Sequence, residues 1–326
     1  MPKAQPVSPP AAGTTFLAGL RETPTVPLRT RLAPTPSGFL HLGNAVNFLL
    51  TWLLARSRGG TVRLRIDDGD CARTRPEFIE DIFRQLEWLG LDWDEGPWGP
   101  DDFARHHSQL RRTDRYRLLL AALGDVLPLF ACRCSRKEIR AASQDGLYPG
   151  TCRGRTEISS GPCAVRVPVP EHTSIAVGEE EVALARVMGD FLLWRRDDLP
   201  AYQLASLADD IDHKITCIVR GQDLLSSTAA QLFLAAPLGE TEFSACRFLH
   251  HPLLFCPAGK KLAKSDNALS LLAMREEGLR PAAVYRETAR LLGLEGGAAS
   301  NLADLEQLFN AAFAAFAAFR PGSRLE

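Results

Sequence analysis

The sequence predicts an α/β fold organised around a parallel, doubly wound sheet. Three observations lead there. Strand-like and helical segments alternate from Arg29 to Leu89. A Pro-, Thr- and Gly-rich turn joins the first strand to the first helix, outside the carboxyl end of a strand, where open α/β sheets receive ligands. Sheet character then returns at Lys214 to Val219, beyond a cysteine-containing region of different texture.

Each element follows from local pattern. Residues 1–28 are rich in Pro, Ala and Thr and read as a disordered tail. Arg29 to Ala33 is a short strand, and Pro34 to Gly38 is a turn. The apolar stretch Ala45 to Leu54 is expected to be a largely buried helix, and Thr61 to Ile66 alternates as a strand does. Pro76 to Leu89 is amphipathic, with Ile79, Ile82, Phe83, Leu86 and Leu89 on its core face. Pro76 suits the first helical position and Gly90 the C-terminal cap. Between Leu127 and Trp194, four cysteines and short strands such as Cys163 to Val169 suggest an insertion. Gln222 to Thr228 opens a helix with several candidate N-caps. From Ala268 onward the chain is Ala- and Leu-rich and helical, broken at Gly296 and Gly297. The expected organisation is a tail (1–28), a first catalytic half (29–126), an insertion (127–194), a second catalytic half (195–265) and a helical C-terminal unit (266–326).

Composition narrows the function classes. The 326 residues are 45% hydrophobic and 24% charged, enough for a substantial core. A formal net charge of -1 excludes a uniformly cationic nucleic-acid binder, so RNA contact requires a local patch. Arg133, Arg136, Lys137, Arg140, Arg153 and Arg155 offer one. No apolar run suits a secretory signal or a membrane span. The eight cysteines are therefore expected to be reduced, in a cytoplasmic protein without membrane partners, and free to bind metal. Cys71, Cys163, Cys217, Cys246 and Cys256 are isolated and read as core.

Two segments carry phosphate chemistry. Arg31-Leu32-Ala33-Pro34-Thr35-Pro36-Ser37-Gly38-Phe39-Leu40-His41-Leu42-Gly43-Asn44 leads into a helix N-terminus, whose free N–H groups favour phosphate. Gly43 leaves room for a flat base, and His41 can donate to a phosphate oxygen. Lys260-Lys261-Leu262-Ala263-Lys264-Ser265 follows Pro257-Ala258-Gly259 and places lysines where they can neutralise a triphosphate.

Together these segments resemble the HIGH and KMSKS motifs of class I glutamyl-type tRNA synthetases, over nearly all of residues 29–326. Asn44 and Ala263 depart from the usual pattern. The resemblance implies the Rossmann-type nucleotide-binding fold of class I aminoacyl-tRNA synthetases and activation of L-glutamate with ATP and Mg²⁺. It implies catalytic roles for His41, Lys261 and Lys264, and ATP contacts from His41, Gly43, Asn44 and Lys264. Glutamate, with two carboxylates and one ammonium, needs arginines and an acid. The implied pocket comprises Arg31, Ala33, Thr35, Asp67, Tyr202 and Arg220. Asp67 stands where the family usually has Glu, one methylene longer.

Cys132, Cys134 and Cys152 supply three soft ligands suited to zinc. From spacing alone the fourth ligand is open among Asp145, His106, His107 and Tyr148. The Cys-x-Cys … Tyr-x-x-x-Cys pattern resembles that of the short paralogues of the glutamyl enzymes, which implies Tyr148 as the fourth. Only some sixty residues follow the lysine segment, which is expected to leave no room for a large anticodon-binding region. Both features resemble the glutamyl-queuosine tRNA(Asp) synthetase family. That resemblance implies transfer of glutamate to queuosine, with the anticodon arm of tRNA(Asp) as partner and a monomeric enzyme. A minimal glutamate–tRNA ligase charging a tRNA 3′ end and a non-catalytic RNA- or zinc-binding paralogue are the alternatives.

Overall fold

The computed structural model describes residues 27–143, 146–154, 162–254 and 270–318. The N-terminal tail and the lysine segment at 260–265 lie outside the described residues. At the centre, β1 (Arg29–Leu32) runs parallel to β2 (Thr61–Leu64), in register from Arg29 opposite Thr61 to Leu32 opposite Leu64. Strands β8 (Cys217–Gly221) and β9 (Arg247–His251) form a second parallel pair. The two pairs meet where the Thr216 N–H donates to the Arg29 carbonyl and the Arg29 N–H to the Thr216 hydroxyl, each at 2.9 Å. On the far edge, residues 93–95 lie beside β2: Leu64 N–H donates to the Glu95 carbonyl and Asp94 N–H to the Val62 carbonyl. The order across the layer is 93–95, β2, β1, β8, β9. The chain reverses direction of travel next to β1, and that switch point is the usual ligand crevice. Gly96, with φ +108, is required at this edge, because a Cβ there would overlap the Leu64 carbonyl.

The first helix, α1 (Leu42–Arg56), is longer than its apolar run predicts, because His41 caps it. The His41 ring accepts from the Asn44 N–H, and the Asn44 side chain accepts from the His41 N–H, a reciprocal capping box. Ten of its residues are buried, which explains its predominantly apolar sequence. Helix α2 (Pro76–Trp88) ends as expected, with Gly90 at φ +65. Ile82, Leu86 and Leu89 are fully buried, with Ile79 and Phe83 packed at the margin.

After α3 (Thr113–Val126) the chain builds the cysteine-containing region. It consists of β3 (Phe130–Cys132), α4 (Arg136–Ala142), β4 (Ala164–Val167), a hairpin of β5 (Ile175–Val177) and β6 (Glu180–Val182), and β7 (Phe191–Trp194). Strands β3, β4 and β7 make an antiparallel sheet in that order. Helices α5 (Tyr202–Asp212) and α6 (Leu225–Ala235) complete the second half and share an apolar core with α3, β4 and β7. Helices α7 (Leu271–Glu276), α8 (Ala282–Leu291) and α9 (Leu302–Ala318) close over α1 and α2. The Tyr285 hydroxyl donates to the Leu89 carbonyl, and Val284, Leu305 and Phe309 join the first core.

Three local expectations are revised. Strand β8 starts at Cys217 rather than Lys214, because Lys214 adopts a left-handed φ of +53 in the turn that ends α5. The helix after Gln222 opens through a 3-10 turn with no side-chain cap; Thr228 instead bonds to Leu224 and to neighbours in the site. Cys71 is exposed in the turn beyond β2 and Cys163 is half-buried, so neither is a core residue, whereas Cys217 and Cys246 are. Cys256 lies outside the described residues.

Candidate active site

The carboxyl ends of β1, β2 and β8 converge on a buried ionic cluster. Arg31 comes from β1, Arg65 and Asp67 from the segment after β2, and Arg220 from β8. The Arg65 N–H donates to the Leu32 carbonyl and the Asp67 N–H to the Pro34 carbonyl, which holds the two strand ends together. Ala33 and Thr35, both half-buried, lie in this tied turn. Helix α5 contributes from the other side. Tyr202, Ser206 and Asp210 recur at intervals of four and therefore share one face.

Asp210 is the hub. It is buried, and its Oδ1 accepts from Arg31 Nε at 3.1 Å and from Arg65 Nη1 at 2.6 Å. Its Oδ2 accepts from the Ser206 hydroxyl at 3.5 Å and faces Arg220 Nη2 at 3.9 Å. Burial works to raise this carboxyl, but Arg65, Arg31 and Arg220 outweigh it and hold it below the usual carboxylate range. Arg65 also donates to both oxygens of Asp67, at 2.7 and 3.2 Å. The Gln109 amide spans Asp67 and Asp209, and Asp209 receives Arg112 Nε at 2.7 Å and the Tyr116 hydroxyl at 3.0 Å. For Asp67, burial outweighs Arg65 and pushes the carboxyl up.

Arg220 differs from the other arginines. Its Nη1 donates to Thr228 at 3.1 Å and Gln231 at 2.9 Å, but Nε and Nη2 are buried without a hydrogen-bond partner among the described residues. Burial lowers its proton affinity, an effect that the nearby Arg31 charge reinforces. Two open donors of one planar fork form a socket for a carboxylate. Tyr202 begins α5 and is 38% exposed, on the α5 face that carries Ser206 and Asp210.

His250 shares the Thr228 hydroxyl, with its Nε2 at 2.9 Å. Burial, with the Arg220 charge beside it, lowers its pKa to about 4. The unfolded chain would protonate His250 near pH 6.5 and the folded chain would not. Folded stability is therefore unaffected by this group above pH 6.5 and falls as pH drops toward 4. By linkage the loss at pH 5 is about 2 kcal/mol. Denaturant titrations at pH 7 and pH 5 should show it, and His250→Gln should reduce the difference by about 2 kcal/mol, leaving the share of His213, whose pKa burial also lowers to about 4; a difference unchanged by His250→Gln would refute the assignment.

The turn leading into α1 lies at the adjoining end of the sheet. Gly43 is constrained by His41, whose ring atoms would stand 3.0 and 3.1 Å from an added Cβ. The amide oxygen of Asn44 is engaged in the capping box. Leu271 N–H donates to the Leu40 carbonyl, and Ser270 bridges to His41. The chain therefore leaves β9 past Leu254 and returns beside His41. Lys261 and Lys264 fall in the interval, outside the described residues.

Sequence reading brought out Arg31, Asp67, Tyr202 and Arg220, and the structure brings these four to one place. It missed Arg65, Gln109, Ser206, Asp209 and Asp210. The available signal was the acidic pair on α5, which lies on the buried side of an otherwise apolar helix.

The cysteines form a second site. Sγ atoms of Cys132, Cys134 and Cys152 all lie within 4.8 Å of one another. Cys134 Sγ is 3.6 Å from Cys152 Sγ and 3.8 Å from the Tyr148 hydroxyl, which accepts the Cys152 N–H at 2.7 Å. Zinc–sulfur bonds of about 2.3 Å in a tetrahedron give edges of about 3.8 Å, so these atoms suit zinc. His106 and His107 lie before α3, with His107 beside Asp102, and are not in this group; Asp145 lies outside the described residues. Arg153 is held by the buried Asp190 carboxylate, leaving Arg136, Lys137 and Arg140 as the exposed cations of α4.

A sheet of this order, with a helix N-terminus and a buried arginine–carboxylate cluster at its carboxyl edge, has the form of a doubly wound α/β domain with its ligand crevice at the strand ends. Residues 27–313 match the family described as tRNA synthetases class I (E and Q), catalytic domain, and the chain belongs to that family. A glutamyl-Q tRNA(Asp) synthetase from Nitratidesulfovibrio vulgaris is 40% identical over 287 residues, 82% of this chain and 87% of that protein. Glutamate–tRNA ligase 2 of Koribacter versatilis is 37% identical over 286 residues, but this chain covers only 57% of its length. The crystal structure of glutamate–tRNA synthetase from Elizabethkingia anophelis superposes with a TM-score of 0.69 at 25% identity, covering 87% of this chain and 66% of that one.

Proposed function

We propose that this protein activates L-glutamate with ATP and transfers it to queuosine in the anticodon of tRNA(Asp). The observation that carries the glutamate reading is Arg220, a buried guanidinium whose Nε and Nη2 have no hydrogen-bond partner among the described residues, near a second buried arginine, Arg31. The likeness to glutamyl-Q tRNA(Asp) synthetases, which extends over most of both chains, supports the acceptor.

In this reading Arg220 and Arg31 hold the two carboxylates, and the ammonium lies toward Asp67 and Tyr202. Asp67 is already engaged by Arg65, so it offers a shared rather than a free carboxylate. Ala33 and Thr35 line the turn beside them. ATP, carried as its Mg²⁺ complex, lies over Gly43 and the start of α1. The glutamate α-carboxylate attacks the α-phosphate in line and pyrophosphate leaves. His41, Lys261 and Lys264 stabilise the charge that develops; the return of the chain beside His41 supports that grouping. A queuosine hydroxyl then attacks the glutamyl-adenylate and AMP leaves. Positioning and electrostatics carry the rate.

Cys132, Cys134, Cys152 and Tyr148 would hold zinc. Four protein ligands make a closed site, so the metal would brace the fold around β3 and leave the reaction to the other residues. The exposed cations of α4 would meet the RNA backbone. No helix among the described residues is long and apolar enough to cross a membrane, in keeping with a cytoplasmic enzyme acting on tRNA.

The test is charging with labelled glutamate on three RNAs: queuosine-containing tRNA(Asp), the same tRNA without queuosine, and tRNA(Glu). Label on the first alone is expected. Label on tRNA(Glu) instead would make this a glutamate–tRNA ligase, and label on none would overturn both acceptors.

A further inference from the structure

We infer that Asp210 is the positioning residue of the amino-acid pocket: its single carboxylate aims the substrate-facing arginines contributed by separate strands. The inference rests on the glutamate-activation reading above and assigns a residue which that reading does not use.

The geometry is specific to Asp210. Its Oδ1 takes Arg31 through Nε, so the end of that guanidinium remains for a ligand. The same oxygen takes Arg65 through Nη1, and Arg65 in turn grips Asp67 with Nε and Nη2. Oδ2 lies 3.9 Å from Arg220 Nη2, one of the two donors left open in the site. Arg31, Asp67 and Arg220 thus take their relative placement from one carboxylate on α5. The neighbouring Asp209 does not share this arrangement. Its hydrogen bonds go to Gln109, Arg112 and Tyr116, and it approaches Arg65 only at 3.9 Å.

Three guanidinium groups this deeply buried repel one another unless an anion lies among them. Without the Asp210 charge they would separate, and the spacing set for two carboxylates would be lost. Ser206 steadies the hub from one turn earlier on α5, bonding both Asp210 and Arg65.

ATP–pyrophosphate exchange with Asp210→Asn is the test, with separate Michaelis constants for glutamate and ATP. KM for glutamate is expected to rise about tenfold or more, with KM for ATP within about twofold of wild type. Asp210→Glu retains the charge but displaces it by one methylene, and should fall between wild type and Asp210→Asn. A wild-type KM for glutamate in Asp210→Asn, or equal rises in both constants, would overturn the inference. If Asp210→Asn does not fold, the glutamate KM of Asp210→Glu decides in the same way, and failure of both to fold would reduce Asp210 to a stability role. Wild-type protein is the control. Absence of glutamate-dependent exchange there would remove the functional reading itself, whereas exchange with an unaffected variant would remove only the role of Asp210.

Discussion

Replacing Arg220 with glutamine is expected to lower kcat/KM for glutamate in ATP–pyrophosphate exchange by about a thousandfold, or about 4 kcal/mol. The size follows from the open donors. Nη1 is committed to Thr228 and Gln231, while Nε and Nη2 are buried and have no acceptor among the described residues. A charge-assisted hydrogen bond contributes about 1.5–3 kcal/mol, and here two parallel ones would form. Glutamine can supply one neutral donor. Arg220→Lys should be nearly as damaging, because an ammonium keeps the charge but loses the fork. Thr228 and Gln231 would also lose their shared partner, so thermal unfolding of each variant should be recorded alongside. A loss of less than about tenfold in a folded Arg220→Gln protein would exclude Arg220 as the carboxylate socket.

Substituting Cys152 by serine is expected to remove bound zinc and to destabilise the β3–β4–β7 sheet by several kcal/mol. Cys152 is buried beside Cys132, and its own N–H donates to the Tyr148 hydroxyl. Serine keeps that backbone N–H, so the change removes the proposed thiolate ligand while leaving the contact with the Tyr148 phenol in place. The next residue, Arg153, ties the loop to Asp190 at the start of β7, so local loosening should spread into the sheet. Metal content measured by atomic absorption, together with the unfolding midpoint, checks the prediction. Cys71→Ser is the matched control, since Cys71 is exposed and outside the cluster. Retention of zinc by Cys152→Ser would refute the ligand set.

Local pattern made the frame of the molecule legible. The strand at Arg29, the buried helix after His41 and the amphipathic helix from Pro76 each follow from the spacing of apolar residues and their caps. The strand-to-helix turn from Pro34 to His41 was legible because proline, glycine and histidine cluster there between two apolar segments, whereas the lysine segment lies outside the described residues. Arg31, Asp67 and Arg220 were singled out by the family resemblance, since each by itself reads as an ordinary surface charge.

Other features required the folded chain. Asn44 reads as a nucleotide donor in the sequence, but its oxygen caps α1 once the backbone turns. Thr228 reads as one of several helix caps, yet its hydroxyl joins Arg220 to His250. The fourth member of the cysteine site stayed open by spacing, and folding brings Tyr148 beside Cys134.

What the sequence by itself determined is therefore the element order and some of the charged groups, Arg31, Asp67 and Arg220 among them. Those depend on interactions within a few residues, and a few residues are what a pattern records. Only the tertiary structure decided how the charges pair. Arg31 meets Asp210 across 179 positions and Arg65 meets it across 145, distances over which no local periodicity extends. Burial supplies the reason such pairing is strict: inside the protein an arginine must have an anion, and the carboxylate able to reach it is set by how α5 packs against the sheet.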